Sequence, residues 1–317
     1  MQKIFLRADA DSQIGFGHFI RTLALADMLK DNYDCTFFTA GPTEYQKHEV
    51  AKVCSLVELP ADASKFDVFL HYLTGNEIVF LDNYFFTPEY EKAVKDTGCK
   101  LVVLSPSKPH HYADVVVNYV DKDVSHYSVE DYTRIVAGLE WSLLREPFRR
   151  PVNNSKRNDR GVVVSFGGTD QYCLTEKVLD VLDRCYQVSV IMTSRVSEDR
   201  RRNLKDRGAA VHTDITAEEV AALFERNEYA ILSSSTTCME AVSRGAKVLA
   251  GYYVENQINY YNVLLKEKCI LGLGNILCDE PFKEINNQLA TFRDTDSVNI
   301  DFSTQKERYI KLFSSLC

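Results

Sequence analysis

The residues best suited to chemistry lie within the run RADADSQIGFGHFIR, residues 7–21, which combines one imidazole, His18, with two glycines, Gly15 and Gly17. A glycine turn lets the backbone approach a ligand, and a histidine at a helix start meets a positive potential that disfavours the imidazolium. A neutral imidazole in that position can accept a proton from water. His18 is therefore predicted to be a general base, with Gly15 and Gly17 beside the substrate.

A histidine at a helix start can also be purely structural, but the neighbouring charges of Asp9 and Arg21 favour a functional role. We predict that these two side chains bind substrate. The turn is a poor dinucleotide-binding fingerprint, because Ile20 stands where the third glycine of G-x-G-x-x-G belongs and Ala40, not an acid, ends the second predicted strand. A nicotinamide cofactor is therefore not expected.

A second glycine turn, FGGTD, spans residues 166–170 after an apolar run. The N–H groups of such a turn, and of the helix predicted after it, suit a phosphate, which makes Gly168 and Thr169 candidate binding residues. A tight turn with Thr169 or Asp170 as the helix N-cap explains the same sequence without a ligand. The sequence leaves these two interpretations open.

The run SSSTTCME, residues 233–240, is richer in hydrogen-bonding groups. Because its hydroxyls follow a predicted strand and open a predicted helix, Ser234, Ser235 and Thr236 are candidates for binding a pyrophosphate. Glu240 lies one helical turn further on, where its carboxylate can accept hydrogen bonds from ribose hydroxyls. An ordinary helix start with an acid favoured by the helix dipole is the alternative, and we favour the binding site.

Two more predicted strand ends carry polar side chains. Asn256 and Gln257 follow the strand predicted to end at residue 251, where they could bind substrate or cap a helix. Tyr84 follows the strand predicted to end at residue 82, where a tyrosine is more often a packing residue than a chemical one. Both positions are at strand ends, where open parallel sheets bind their ligands.

These motifs need elements that bring them to one edge of a sheet. Strand and helix signals alternate along the first half, which predicts parallel βαβ units. The pattern restarts after residues 146–160, a stretch rich in proline, asparagine and basic residues with little to bury, which we interpret as a linker. The expected fold class is α/β. We predict two Rossmann-like domains facing across a cleft: residues 1–150 with the histidine turn, and residues 151–317 with the nucleotide site.

Alternating patterns give the predicted bounds of the elements. The predicted strands are 3–7, 35–39, 55–59, 78–82, 100–104, 115–118, 161–165, 188–192, 210–213, 229–232 and 247–251. The predicted helices are 18–30, 44–52, 88–96, 172–183, 198–207, 217–227, 237–244, 257–268 and 304–313.

Composition excludes several classes of protein. The net charge of -8 over 317 residues argues against nucleic acid or an anionic membrane as the main partner. Nine cysteines occur without a C-x-x-C pair, and His110 and His111 have no third ligand at a suitable spacing. We therefore expect no disulfide framework, no metal and no cofactor. No signal peptide or membrane-spanning apolar run is recognised, which predicts a cytoplasmic enzyme.

The runs RADADSQIGFGHFIR, GGTD, SSSTTCMEA and YVENQ together resemble, in the same order, the UDP-sugar hydrolases of pseudaminic acid biosynthesis. These act on UDP-2,4-diacetamido-2,4,6-trideoxy-β-L-altropyranose. KPHHYADVVVN and SLLREPF extend the resemblance over most of the chain. The resemblance implies a GT-B fold that is used for hydrolysis. The chain departs from the family at residues 105–107, which are Ser-Pro-Ser where the family carries an acidic pair.

The resemblance also implies roles for individual residues. His18 matches the catalytic histidine that activates water to attack the anomeric carbon, and Tyr84 and Asn256 match residues on the sugar side of the site. Ser235 and Glu240 match positions that hold the nucleotide. The implied reaction is metal-independent, inverting cleavage of the sugar C1–O bond with release of UDP. The implied partner is a UDP-sugar, with no nucleic acid and no membrane, and the chain is expected to be a monomer.

Three alternatives remain at this stage. A GT-B glycosyltransferase would use the same donor, and a lipid acceptor would need an exposed apolar or basic stretch that is not evident near the histidine turn. A non-catalytic nucleotide-sugar binder would bind without turnover. An NAD-dependent oxidoreductase is disfavoured by the broken fingerprint.

Overall fold

The computed structural model describes residues 1–10, 15–105, 110–120, 122–152, 157–292 and 300–317. The chain divides into two compact units, the first formed by Met1–Glu146 with Ser303–Cys317 and the second by Pro147–Phe302. The sequence predicts a boundary after residue 150 and assigns residues 303–317 to the second domain. The chain instead crosses after Glu146 and returns its last segment to the first unit.

The C-terminal helix, Gln305–Ser314, belongs to the first unit because its buried polar groups bond there. The Gln305 side chain is fully buried and donates to the carbonyl of Ser142, while the Tyr309 hydroxyl donates to the carbonyl of Trp141. Buried polar groups that lose such partners are strongly destabilising. The periodicity of a helix does not show which unit the helix packs against. The sequence pattern alone therefore assigns this helix to the second domain.

The first unit is built on a parallel sheet. Its strands are β1 (Lys3–Arg7), β2 (Asp34–Ala40), β3 (Ser55–Leu59), β4 (Ile78–Leu81), β5 (Lys100–Leu104), β6 (His110–His111), β7 (Val115–Asn118), β8 (Ser128–Val129) and β9 (Arg134–Ala137). Its helices are α1 (Gly17–Leu29), α2 (Glu44–Ala51), α3 (Lys65–His71) and α4 (Pro88–Asp96), together with the C-terminal helix. Among the described residues, the main sheet has the order β3-β2-β1-β4-β5-β7-β9, and β6 pairs separately with β8.

The strand order of the first unit reverses between β1 and β4, which pair in parallel. Ligands of open parallel sheets bind beyond the carboxyl ends of the strands at such a reversal. Here α1 follows β1, and Asp82 follows β4 directly, with its backbone N–H donating to the carbonyl of Arg7 at 3.1 Å. The fold therefore brings the histidine turn and Asp82 to the same edge.

The second unit repeats this plan. Its strands are β10 (Asn158–Ser165), β11 (Gln187–Met192), β12 (Ala210–Thr213), β13 (Asn227–Ser233), β14 (Lys247–Tyr252) and β15 (Leu271–Asn275). Its helices are α5 (Leu174–Val181), α6 (Glu198–Asp206), α7 (Ala217–Arg226), α8 (Thr236–Ser243), α9 (Glu255–Lys266) and α10 (Ile285–Thr291), and the C-terminal helix of the first unit is thus α11. The order β12-β11-β10-β13-β14-β15 reverses between β10 and β13, which precede the FGGTD turn and the serine run. Within the described ranges, no helix combines the length and the apolarity needed to cross a membrane.

Residues 146–160 are not the poorly packed linker that the sequence predicts. Phe148 is fully buried, and Arg244 donates to its carbonyl at 3.1 Å. Arg157 donates to the carbonyls of Phe224 and Asn227 at 2.8 and 3.0 Å. Arginine can enter a packed region when backbone carbonyls accept its N–H groups, which a composition rule does not anticipate. Residues 153–156 of this stretch lie outside the described residues.

Candidate functional site

His18 is the second residue of α1 and is buried at the carboxyl edge of the first sheet, with 4% of its surface exposed. Its Nδ1 lies 2.7 Å from Oδ1 of Asp82, and its ring meets that of Tyr84 edge to face, with centroids 4.6 Å apart. Gly15 has φ +78, a left-handed conformation that glycine adopts without strain, just before the helix begins. The structure thus places the imidazole at the strand-to-helix turn, held by a carboxylate.

Asp82 is the centre of this cluster. It is fully buried and accepts hydrogen bonds from Arg21 on both oxygens, with Nε at 2.6 Å, and from the Thr22 hydroxyl at 3.0 Å. Burial alone raises the pKa of Asp82, but the charge of Arg21 and the hydrogen bonds from Arg21 and His18 outweigh it and lower the pKa to about 2. Asp82 is therefore a carboxylate at any ordinary pH.

Arg21, predicted to bind substrate, directs its guanidinium into the first unit. It is 6% exposed, and besides Asp82 it donates to the hydroxyl of Tyr119 at 2.9 Å. Burial lowers the pKa of Arg21, but the charge of Asp82 outweighs this and the net shift is upward. Burial raises the pKa of Tyr119 to about 12, so the phenol stays uncharged. All three guanidinium nitrogens have partners in the protein, and a role of Arg21 in substrate binding remains a prediction.

Asp9, also predicted to bind substrate, is only 3% exposed. Both of its oxygens accept from Arg7, while Lys65 donates to Oδ2 at 3.0 Å and the N–H of Ala40 donates to Oδ1 at 2.7 Å. Burial raises the pKa of Asp9, but the hydrogen bond and charge of Arg7 outweigh it, and the net shift is downward. Its backbone also exchanges two hydrogen bonds with the Asn83 side chain. Asp9 therefore stabilises the turn, and its role in substrate binding remains a prediction.

The contacts of His18 define which ring nitrogen can accept a proton. Nδ1 lies 2.7 Å from Oδ1 of Asp82 and 2.8 Å from Nη2 of Arg21, so it can donate to the carboxylate or accept from the guanidinium. In the tautomer that donates to Asp82, the lone pair of the ring is on Nε2. Nε2 has no hydrogen-bond partner in the part of the chain that the structure describes. The arrangement can therefore accept a proton at Nε2 while Asp82 holds the ring in place.

Tyr84 and the two glycines form the open side of the histidine cluster. Tyr84 is 61% exposed although its ring contacts His18. A Cβ built on Gly15 or Gly17 would meet no heavy atom within 4 Å among the described residues. The roles of these three residues in substrate binding remain predictions.

In the second unit, the FGGTD turn is explained by capping. The carboxylate of Asp170 accepts hydrogen bonds from the N–H groups of Leu174 and Thr175, both at 2.9 Å, which open α5. Arg200 donates to the same carboxylate at 2.8 Å and to the carbonyl of Thr169 at 3.0 Å. The N-cap residue of α5 is Cys173, not Thr169 or Asp170, but the Asp170 carboxylate uses the first N–H groups of the helix. This favours a structural role for the turn over phosphate binding.

The glycine at position 168 also has a packing reason. A Cβ there would lie 2.8 Å from Cγ2 of Thr193, whose backbone N–H and hydroxyl both donate to the Gly168 carbonyl, at 2.8 and 2.9 Å. Close approach of β11 and the turn therefore requires glycine. This contact accounts for Gly168 without a ligand, and a role for the exposed Thr169 in substrate binding remains a prediction.

Replacing Asp170 with alanine is expected to destabilise the second unit. The change removes two helix-capping hydrogen bonds and leaves the Arg200 guanidinium with one carboxylate fewer, so we expect a loss of about 2 kcal/mol in the free energy of unfolding. Urea denaturation measures it. Asp170→Asn keeps an N-cap acceptor without the charge and should lose less. Unchanged stability in Asp170→Ala would contradict the capping role.

The start of α8 differs from that of α5. Ser235 is the N-cap residue, but its side chain makes no capping hydrogen bond, and no acid lies in the first turn, which begins at Thr236. Ser234 is 2% exposed, its N–H donates to the carbonyl of Gly251 at 2.8 Å, and its hydroxyl has no partner among the described residues. A helix start without a side-chain cap, next to a buried hydroxyl without a partner, is suited to binding an anion. The serine run is thus the better phosphate candidate of the two turns.

The remaining predicted residues of the second unit fall into two groups. Glu240 lies inside α8 with 6% of its surface exposed, and Asn256 is exposed in the first turn of α9. The side-chain oxygen of Gln257 accepts a hydrogen bond from the N–H of Tyr253 at 3.0 Å, and its role in substrate binding remains a prediction. Glu240 and Asn256 remain predicted ligand-binding residues.

The described residues contain no group of three or more His, Cys, Asp or Glu side chains that could hold a metal ion. His111 pairs with Glu91 at 2.9 Å, and both are 2% exposed. His110 contacts the Ser128 hydroxyl and Glu130, at 2.7 and 2.9 Å. Each of the two histidines therefore has a structural role between α4, β6 and β8.

The sequence analysis misses two residues of the histidine cluster. Asp82 stands in the turn that the sequence places at a strand end, but its pairing with His18 follows only from the parallel contact of β1 with β4. Tyr119, after β7, reaches the cluster through Arg21. An acid immediately after a fully apolar strand is the one signal that could identify Asp82, because a buried strand end rarely carries an unpaired charge.

Two doubly wound parallel units of this kind, each with polar side chains at its strand-order reversal, define the GT-B class. Solved structures agree. Acinetobacter baumannii MurG matches with a TM-score of 0.67 at 9% identity, over 99% of this chain and 100% of that one. The spinosyn rhamnosyltransferase SpnG, complexed with thymidine diphosphate, matches with a TM-score of 0.65 at 9% identity, over the full length of both chains.

Sequence relatives confirm the resemblance found in the motifs. The chain is 27% identical over 272 residues to the UDP-2,4-diacetamido-2,4,6-trideoxy-beta-L-altropyranose hydrolase of Campylobacter jejuni, covering 80% of this chain and 93% of that protein. It is 26% identical over 290 residues to the spore coat polysaccharide biosynthesis protein SpsG of Bacillus subtilis, covering 86% and 84%. An uncharacterized protein of Methanocaldococcus jannaschii is 25% identical over 288 residues, 84% of this chain, which spans only 58% of that protein. No protein-family model matches the chain.

Proposed function

We propose that the protein is a nucleotide-sugar hydrolase that cleaves a UDP-linked diacetamido-trideoxy sugar at C1, releasing UDP and the free sugar. The observation that carries the proposal is the pairing of His18 with Asp82, because a ring that donates from Nδ1 to this carboxylate has Nε2 as its proton acceptor. The similarity to the Campylobacter jejuni hydrolase supports the substrate class. The GT-B fold supports the use of a nucleotide-linked sugar.

In the proposed reaction, Nε2 of His18 takes a proton from water as the water oxygen attacks the anomeric carbon. The C1–O bond breaks with inversion, and its electron pair leaves with UDP. A nucleoside diphosphate is a good leaving group, so the reaction needs a base and stabilisation of the diphosphate charge more than a strong acid. We propose that no metal takes part, and that Tyr84 and Asn256 contact the sugar.

Nucleotide binding is assigned to the second unit. The uncapped start of α8, with Ser234, Ser235 and Thr236, is proposed to bind the diphosphate, and Glu240 the ribose hydroxyls. The support is a difference between two helix starts. Asp170 accepts hydrogen bonds from the first N–H groups of α5, whereas the side chain of Ser235, the N-cap residue of α8, accepts none. A helix start of the second kind favours an incoming anion.

A hydrolase and a glycosyltransferase are separated by the fate of the sugar. The protein is incubated with a panel of UDP- and CMP-sugars in EDTA and ¹⁸O-water, and the released nucleotide is detected by phosphorus NMR. We expect UDP and a free sugar that carries the heavy oxygen at C1. Heavy oxygen in UDP would contradict attack at carbon. Release of UDP only after an acceptor is added would favour a glycosyltransferase. The likeness to a rhamnosyltransferase structure is the reason to test for this activity.

Replacing Glu240 with alanine is expected to weaken UDP binding by about tenfold or more, because a carboxylate that accepts two ribose hydroxyls contributes roughly 1.5–3 kcal/mol. Calorimetric titration with UDP measures the change. The matched control is Glu284→Ala at an exposed position before α10, which should bind like the wild type. Equal UDP affinity in Glu240→Ala and the wild type would remove the ribose role.

A further inference from the structure

The Nδ1 atom of His18 has two charged neighbours. Oδ1 of Asp82 lies at 2.7 Å and Nη2 of Arg21 lies at 2.8 Å. Arg21 also donates to both oxygens of Asp82, so the carboxylate is already neutralised by a guanidinium before the imidazole is considered. All three side chains are less than 7% exposed. Interactions between such buried charges are only weakly screened by water and salt.

We propose that Arg21 is a positioning residue that keeps His18 uncharged and ready to accept a proton at Nε2, a role that rests on the proposed hydrolase function. Asp82 alone would do two things at once: hold the Nδ1 proton and stabilise an imidazolium, which has no lone pair left to accept a proton. Arg21 cancels the second effect, because its charge repels an imidazolium at this distance. A neutral ring with a protonated Nδ1 keeps its hydrogen bond to Asp82.

The other groups that face the cluster do not replace Arg21. Tyr84 contacts His18 from the turn after β4, and Tyr119 accepts a hydrogen bond from Arg21 after β7. Tyr309 of α11 is fully buried and interacts electrostatically with Asp82. Burial raises the pKa of Tyr119 and of Tyr309, so both stay neutral phenols. Among the described residues around the ring, Arg21 is thus the cation that contacts both His18 and Asp82.

The contacts of the Arg21 guanidinium explain why an arginine, and not a lysine, suits this position. Its planar fork uses Nε and Nη2 on Asp82 and Nη1 on the Tyr119 hydroxyl, and its Cζ lies 5.5 Å from the centre of the Tyr119 ring. Lysine would supply the charge but not the fork. Arg21→Lys should therefore preserve the electrostatic effect better than Arg21→Gln, which removes it.

Nitrogen NMR of the substrate-free protein, labelled with ¹⁵N-histidine, tests the proposal independently of turnover. The His18 signals are assigned by their loss in His18→Gln. In the wild type near neutral pH we expect a protonated Nδ1 and an unprotonated Nε2. In Arg21→Gln the two ring-nitrogen signals near neutral pH should shift toward those of an imidazolium, which is protonated on both nitrogens. Arg21→Lys should shift them by less than half as much, and Arg21→Gln/Asp82→Asn should return them toward the wild type.

A matched control is Arg308→Gln, since Arg308 also lies in the first unit but donates to the carbonyl of Glu140. Its His18 signals should be unchanged. An Nε2-protonated wild type, or ring-nitrogen signals in Arg21→Gln that stay at their wild-type positions, would overturn the proposal. If Arg21→Gln does not fold, the wild-type tautomer and the Arg21→Lys signals decide it. Because no substrate is present, these outcomes are separate from a failure of the hydrolase assay.

Discussion

Replacing His18 with glutamine is expected to reduce UDP release by about a thousandfold while leaving UDP binding nearly unchanged. A positioned general base typically contributes 10²–10⁴ in rate, and His18 is the described residue whose free ring nitrogen and anchored partner fit that role. Binding should persist, because nucleotide binding is assigned to the second unit. Phosphorus NMR follows the release of UDP, and calorimetric titration gives its affinity.

The control for His18→Gln is His126→Gln. The His126 side chain is 66% exposed and contacts Asp123 at 3.5 Å, so its replacement removes the same functional group without touching the cluster. It should turn over like the wild type. Wild-type turnover in His18→Gln would remove the general-base assignment. Loss of UDP binding in the same variant would instead contradict the assignment of the nucleotide to the second unit.

Replacing Asp82 with asparagine should have the largest effect on stability. It leaves Arg21 buried with no carboxylate on its Nε and Nη2, and removing one partner of a buried pair costs about 3–5 kcal/mol. We expect urea denaturation to show a loss of that size at neutral pH. Activity should also fall, because the amide holds the His18 tautomer less strictly. A loss near zero would mean that the pair contributes nothing net to the fold.

The same variant should change how stability depends on pH. The pKa of Asp82 is lowered from 3.8 to about 2 in the folded protein, so its contribution is complete above about pH 4 and is lost as pH falls toward 2. The wild type should therefore lose more stability than Asp82→Asn between these values. Asp96→Asn is the control, because Asp96 is 64% exposed in a surface pair with Lys92 and should retain the wild-type slope. Identical slopes in Asp82→Asn and the wild type would contradict the assignment.

The sequence predicts the strands well where burial makes the pattern simple. β1, β3, β5, β7 and β12 have their predicted bounds, because most are short apolar runs between clear turn signals. The sequence does not predict β15, LGLGN, because its two glycines interrupt the apolar run. It also does not predict α3, which is only 7 residues long. β9 is missed as well.

The candidate site is predictable only in part. Position follows from sequence: a histidine at a glycine turn and serines at a helix start are local patterns, and the structure has His18 and Ser235 at those places. The contacts that each side chain makes do not follow from the sequence. Arg21 and Asp9 have the composition of ligand-binding residues, yet their charges are used by Asp82 and Arg7. A charged residue gives the same sequence signal whether it faces a ligand or a buried ion of the protein.

The C-terminal helix α11 has a consequence for biosynthesis. The first unit draws residues 303–317 from beyond the second unit, so a ribosome delivers all of residues 147–302 before the first unit is complete. Until then the carbonyls of Ser142 and Trp141 lack the donors that Gln305 and Tyr309 provide. Although domains generally fold in the order of synthesis, here the half translated first is the one finished last.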